Sequence, residues 1–179
     1  MTTGSLGQCM STAIGIALGV RLNNSGSFTF LILGDGECDE GQVWEGAMFA
    51  AHHKLGGLIA FVDLNKQQLD GFTKDVIDLG NVYEKFKAFG WHTQEVYGHD
   101  PGKIKAAIIE AKLITDKPSV IILDTVKGYG CDFAEGIAAN HHMNFTPEQI
   151  EKAIEKAAQR LEEAREKALE GTTDNVYDI

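Results

Sequence analysis

Two stretches of this sequence hold residue types that can grip a metal-bound anion. Gly34-Asp35-Gly36 follows the apolar run Phe28-Thr29-Phe30-Leu31-Ile32-Leu33, and Asp63-Leu64-Asn65 follows a second run, Leu58-Ile59-Ala60-Phe61-Val62. Asp35 offers a hard anionic oxygen and Asn65 a neutral one, a pair that suits Mg²⁺ or Ca²⁺ better than zinc. Mg²⁺ takes one or two protein carboxylates and completes its shell with phosphate oxygens and water. Gly36 allows backbone N–H groups to come close to a phosphate. Gly-Asp-Gly alone reads as a turn. What points further is the second strand end, with Asn65 thirty positions after Asp35. In a parallel sheet both residues reach the same rim, where ligands of α/β folds bind. The chemistry is that of a magnesium diphosphate site.

The elements that must position these residues follow from periodicity. Residues 7–22 are small and apolar on nearly every helical face, which predicts a helix buried between layers. The two apolar runs are short and continuous, as expected of strands covered on both faces of a parallel sheet. A helix over 41–55 lies between them, with Val43, Trp44, Ala47, Met48 and Ala51 on its inner stripe, so strand, helix and strand form a βαβ unit. A polar loop over 66–78 leads to a short helix near 82–89 and a third strand at 91–97. Asp100-Pro101 opens another helix, Val120-Ile121-Ile122-Leu123 gives a fourth strand, and 127–146 is a long loop of functional character. Thr146-Pro147-Glu148-Gln149 begins a charged helix. The fold class is α/β, a parallel sheet with helices on both faces over residues 1–150, plus a C-terminal helix over 147–171 packed on or flanking it.

Composition narrows the function. Of 179 residues, 16 are Lys or Arg and 26 Asp or Glu, a formal net charge of −10 that argues against nucleic acid as a partner. No apolar run approaches the length that crosses a bilayer, so no membrane association is expected. Cys9, Cys38 and Cys131 are widely spaced and form no CxxC pair, which fits a reducing cytoplasm and packing roles.

Gly-Asp-Gly followed by an Asn after an apolar strand is the thiamine diphosphate motif, and the surrounding text resembles transketolase. The resemblance is carried by Thr2-Thr3-Gly4-Ser5-Leu6-Gly7-Gln8, Gly34-Asp35-Gly36-Glu37-Cys38-Asp39-Glu40-Gly41, Asp63-Leu64-Asn65-Lys66-Gln67-Gln68-Leu69-Asp70-Gly71 and Lys127-Gly128-Tyr129-Gly130. It looks most like the N-terminal part of a split transketolase, lacking the family's opening segment. The resemblance implies that Asp35 and Asn65 bind the metal through side chains and Gln67 through its backbone carbonyl. It places Gly4, Leu6, Gly36, Glu40, Asn65 and His142 around the cofactor, and gives Glu40 and His142 catalytic roles. Glu40 matches a carboxylate of the subunit interface, and Glu45 another member of its network; as residues alone, both read as charge at a helix start. His142 has His141 beside it as a second candidate, and Met143-Asn144-Phe145-Thr146-Pro147 departs from the Gly, small residue and Pro usual after the family's His.

The implied cofactors are thiamine diphosphate and Mg²⁺ (or Ca²⁺). The implied activity is transfer of two-carbon ketol units between ketose and aldose phosphates, as in the pentose phosphate pathway. That activity needs a partner, the pyrimidine-binding C-terminal subunit, in a homodimer or heterotetramer, and the chain alone is expected to be inactive. Two other readings remain: an assembly-only module, and another thiamine diphosphate enzyme resembling deoxyxylulose-phosphate synthase. Loss of an upstream segment would make helix 7–22 a partner-binding face.

Overall fold

The computed structural model describes residues 4–169; Thr2, Thr3 and the expected helix end at 171 lie outside the described residues. The first compact unit runs to Thr125 and the second starts at Val126. In chain order the first contains α1 (Gln8–Leu22), β1 (Thr29–Gly34), a 3₁₀ turn (Gly36–Asp39), α2 (Gly41–His52) and β2 (Leu58–Leu64). There follow a two-residue hairpin, β3 (Gln67–Gln68) and β4 (Gly71–Phe72), then α3 (Thr73–Val76), α4 (Val82–Ala88), β5 (His92–Tyr97), α5 (Pro101–Leu113) and β6 (Ser119–Asp124). The expected polar loop over 66–78 is thus partly ordered as hairpin and helical turn.

The four long strands make one parallel sheet in the order β1-β2-β6-β5. Alternate residues feed two layers, as the period of two requires. Leu58, Ala60, Val62, Val120 and Ile122 face a core built with Met10, Val43, Ala47 and Phe86 of α1, α2 and α4. Ile59, Phe61 and Ile121 face Ala107 and Ala111 of α5. Asp100 caps α5, its Oδ1 accepting from Lys103 N–H at 3.1 Å, as the sequence predicts. The sheet is α/β with helices on both faces.

Burial of β1 differs from expectation. Thr29, Leu31 and Leu33 are buried, but Phe30 is 49% and Ile32 71% exposed. The strand pairs only with β2, and α5 packs over β5, β6 and β2, so β1 is an edge with one open face among the described residues. A continuous apolar run therefore marks a strand here without marking cover on both sides. Likewise α1 buries one face, with Met10, Ala13, Ile14 and Ala17, while Ile16 and Leu22 are exposed. In α2, Met48 is exposed, and the buried stripe runs through Val43, Gly46, Ala47 and Ala50. Gly46 stands in place of a larger residue because a Cβ there would collide with Met10 of α1.

The second unit opens with consecutive turns over 127–142 and ends in α6 (Pro147–Leu169). Asn140 ties the turns together: its Nδ2 donates to Lys127 O at 3.1 Å and to Ala134 O at 2.7 Å. Thr146 Oγ1 accepts from Gln149 N–H while Gln149 Oε1 accepts from Thr146 N–H, a reciprocal cap that fixes the start of α6.

Candidate functional site

The carboxyl ends of β1, β2 and β6 meet at one rim. Asp35, directly after β1, is 1% exposed. Its Oδ1 accepts from Gly36 N–H at 2.8 Å, and its Oδ2 accepts from Lys66 N–H, which lies directly after Asn65. Lys66 sits in the left-handed region at φ 67°, a conformation uncommon for a side-chain residue, and this turn presents its N–H to Asp35. Asn65 is held at both ends of its amide: Nδ2 donates to Asp63 Oδ2 at 2.9 Å, and Oδ1 accepts from Gln67 N–H at 3.0 Å. Thr125 Oγ1 donates to the other oxygen of Asp63, and Lys66 Nζ pairs with Asp124 at the end of β6. The last pair is half exposed and contributes little to stability; its consequence is geometric. The structure thus brings Asp35, Asn65 and Gln67 together, and adds Asp63, Lys66 and Thr125 as their supports.

The donor set fits a hard cation that shares a phosphate ligand. Among the described residues no group of three His, Cys, Asp or Glu converges, so an all-carboxylate cage is absent. One buried carboxylate beside neutral amide oxygens is what Mg²⁺ takes when phosphate supplies the remaining oxygens. Gln67 is buried, and its side-chain Oε1 has no hydrogen-bond partner among the described residues.

Gly36 has a packing reason beside the ligand approach that the sequence suggests. Its N–H is given to Asp35, and a Cβ at this position would collide with Gln68 Oε1 and stand 2.7 Å from Gln68 Cβ. Gln68 also hydrogen-bonds Asp39, and that bond opposes the burial that pushes the Asp39 carboxyl above its ordinary range. The glycine makes room for Gln68.

Gly4 and Leu6 lie in the exposed segment before α1, where Leu6 O accepts from Gln42 Nε2 at 3.3 Å. Glu40 is the N-cap residue of α2 by position, makes no side-chain cap bond and is exposed in the single chain. Glu45 is exposed in the second turn, beyond the reach of the helix-start charge effect. His141 and His142 belong to the second unit, exposed, with rings 5.1 Å apart edge to face; Lys127 Nζ lies 2.7 Å from His141 Nδ1. Desolvation, the Lys127 ammonium and His142 hold the His141 imidazole below its ordinary value.

Cys38 is fully buried between Glu37 and Asp39. Burial first, then the Glu37, Asp35 and Asp39 carboxylates, push its thiol up to about 12. It is therefore protonated and inert at neutral pH. We expect thiol reagents at pH 8 to label Cys9 and Cys131, both half-buried, while Cys38 reacts only on unfolding. The folded thiol holds its proton above the ordinary value of 9.0, so its contribution is present below pH 9 and lost as pH rises toward about 12. A Cys38→Ala variant is expected to flatten that part of a stability-versus-pH curve followed by urea denaturation.

The family model described as "Transketolase, thiamine diphosphate binding domain" matches residues 1–165. The chain belongs to the transketolase family. It is 47% identical over 154 residues to a 6-deoxy-6-sulfo-D-fructose transketolase subunit of Clostridium sp. (strain MSTE9), covering 86% of this chain and 56% of the relative. It is 34% identical over 162 residues to an apulose-4-phosphate transketolase subunit of Phocaeicola vulgatus, covering 90% and 58%. Among solved structures, transketolase from Campylobacter jejuni superposes with a TM-score of 0.81 at 31% identity, over 87% of this chain and 26% of that one. The chain thus spans little more than half the length of these two curated relatives. It carries the family's thiamine diphosphate-binding domain, and the α/β architecture agrees with that family. Among the described residues no helix is long and apolar enough to cross a membrane.

Proposed function

We propose that this chain holds the diphosphate and Mg²⁺ of thiamine diphosphate in a transketolase that moves two-carbon ketol units from a ketose to an aldose phosphate. The observation that carries the reading is the Asp35–Lys66 bond, which fixes the buried carboxylate of one strand end beside the Asn65–Gln67 turn of the next. Asp35 and Asn65 would hold the cation with side-chain oxygens, and Gln67 with its backbone carbonyl. Asp63 and Thr125 keep the Asn65 amide oriented. The Gly4–Gly7 segment would lie along the cofactor. When bound, thiamine diphosphate supplies the electron sink for breaking the carbon–carbon bond beside a ketone. Glu40, exposed at the start of α2, would meet a second subunit, and His142 would hydrogen-bond phosphate or move a proton.

The ring-binding half of the cofactor site would come from a partner subunit, in a dimer or heterotetramer, and the isolated chain would not turn over. Both curated relatives are named as subunits, and both names specify a ketose bearing an anionic group, one a sulfonate and one a phosphate. A ketose carrying such a group is the donor class we assign.

The test reconstitutes this chain with its pyrimidine-binding partner, thiamine diphosphate and Mg²⁺. Ketol transfer is assayed on a panel of phosphorylated, sulfonated and neutral ketoses. Transfer from the anionic donors only in the mixture is the expected result. Cofactor binding with no transfer from any donor would favour an assembly module instead.

A further inference from the structure

The start of α1 lacks the local side-chain caps that fix α4, α5 and α6. Gly7 stands at its N-cap with φ 78°, no side chain of its own caps it, and its first turn holds no acidic residue. By contrast Asn81 and Asp100 cap α4 and α5. The cap of α1 arrives from thirty residues downstream: Glu37 Oε1 accepts from Gly7 N–H at 2.8 Å. The other oxygen, Oε2, accepts from Gly34 N–H at 3.2 Å, at the last residue of β1. Negative charge at a helix N-terminus is favourable, and bonds from backbone N–H groups to a carboxylate are stronger than neutral ones. At 9% exposure, little water competes for this carboxylate.

One carboxylate therefore joins the start of α1 to the residue that precedes Asp35. Gln42 adds a second tie through Leu6 O. The fit around Gly7 is close, since a Cβ there would stand 2.8–2.9 Å from the side chains of Gln42 and Glu40. Both ties come from the segment that follows Asp35, so the placement of residues 4–7 is referred directly to the metal-binding turn.

We propose that Glu37 is a positioning residue: it holds the Gly4–Gly7 segment against that turn and so sets the affinity for thiamine diphosphate without touching it. This rests on the reading that the segment lies along the cofactor. Both of its partners are donors, so both places need acceptors. A carboxylate has two, whereas a carboxamide has one and would set its NH₂ against the remaining N–H. Glutamine is therefore not a substitute here.

The test compares wild type with Glu37→Gln and Gln42→Ala. Amide exchange at Leu6 and Gly7 is followed by NMR. Binding is measured calorimetrically for thiamine diphosphate with Mg²⁺ and, separately, for inorganic pyrophosphate with Mg²⁺, which needs only the Asp35–Asn65 rim. In Glu37→Gln we expect faster exchange at Gly7 and roughly tenfold weaker thiamine diphosphate binding, from loss of a charge-assisted bond. Pyrophosphate binding is expected to stay within about twofold. Gln42→Ala is expected to move the same readouts in the same direction, by less. Unchanged exchange at Gly7 overturns the tether. Faster exchange with unaltered thiamine diphosphate binding overturns the positioning role. Equal loss of both ligands overturns it too, by making Glu37 a support of the metal turn. If wild type binds pyrophosphate but gains nothing from the rest of the cofactor, the cofactor reading of the segment fails while the tether is still judged by exchange.

Discussion

Replacing Asp35 by Ala is expected to abolish saturable binding of thiamine diphosphate with Mg²⁺, a loss of roughly a hundredfold or more in affinity. Two effects combine. The cation loses the carboxylate assigned to it, and the diphosphate then faces the remaining acids of the turn. Asp35, Glu37 and Asp39 together raise the Cys38 thiol, with Lys85 alone opposing them among the charges that act there. That balance gives the turn a negative field, which repels a diphosphate unless a divalent cation stands between them. Chelation of Mg²⁺ from the wild-type chain is accordingly expected to abolish binding as completely as the substitution does. The substitution also leaves the Gly36 and Lys66 N–H groups without their acceptor. In a buried site each such orphan costs about 1–3 kcal/mol, so a lower urea midpoint is expected as well. Asp35→Asn separates the two effects. It keeps volume and one acceptor but sets its NH₂ against the other N–H, so only part of the stability is expected to return, while binding stays lost for want of charge. Full binding by Asp35→Asn, or binding that survives chelation, would remove the metal from this reading.

The rim was legible because its two halves each carry a local signal. An apolar run stopping at Gly-Asp-Gly, and a second stopping at Asp-x-Asn, give both the strands and the end at which their polar residues emerge. What joins the halves was not legible. The Lys66 N–H reaching Asp35 depends on a left-handed residue with no glycine to announce it, and Thr125 on Asp63 depends on β6 lying beside β2. Strand order is a property of the whole sheet. The same limit explains β1, whose apolar sequence is that of a central strand although Ile32 lies open on an edge. Apolarity records what a segment can be buried against; it does not say whether the covering element is within the described residues. Glu37 is visible in the sequence only as part of a motif, because a carboxylate that caps a helix thirty residues upstream has no sequence spacing of its own.

Gly36→Ala offers the sharpest separation between a glycine kept for a ligand and a glycine kept for packing. The backbone there is ordinary for an L-residue, since the 3₁₀ turn begins at this position and Gly36 is not among the glycines of positive φ. Strain would come from the Gln68 side chain, which occupies the space of the new methyl group. Overpacking of this kind costs about 1–3 kcal/mol, and displacing Gln68 also removes the hydrogen bond that restrains Asp39. Truncating Gln68 empties the space, so Gly36→Ala is expected to be destabilising in the wild-type background and much less so in Gln68→Ala. The coupling in a double-mutant cycle of urea unfolding should then approach the whole cost of the single change. Binding of thiamine diphosphate with Mg²⁺ by the double variant decides the second question. If Gly36 is needed only to admit Gln68, binding returns with stability. If the diphosphate itself must approach this backbone, stability returns and binding does not, because the methyl group then occupies the ligand's side of the turn.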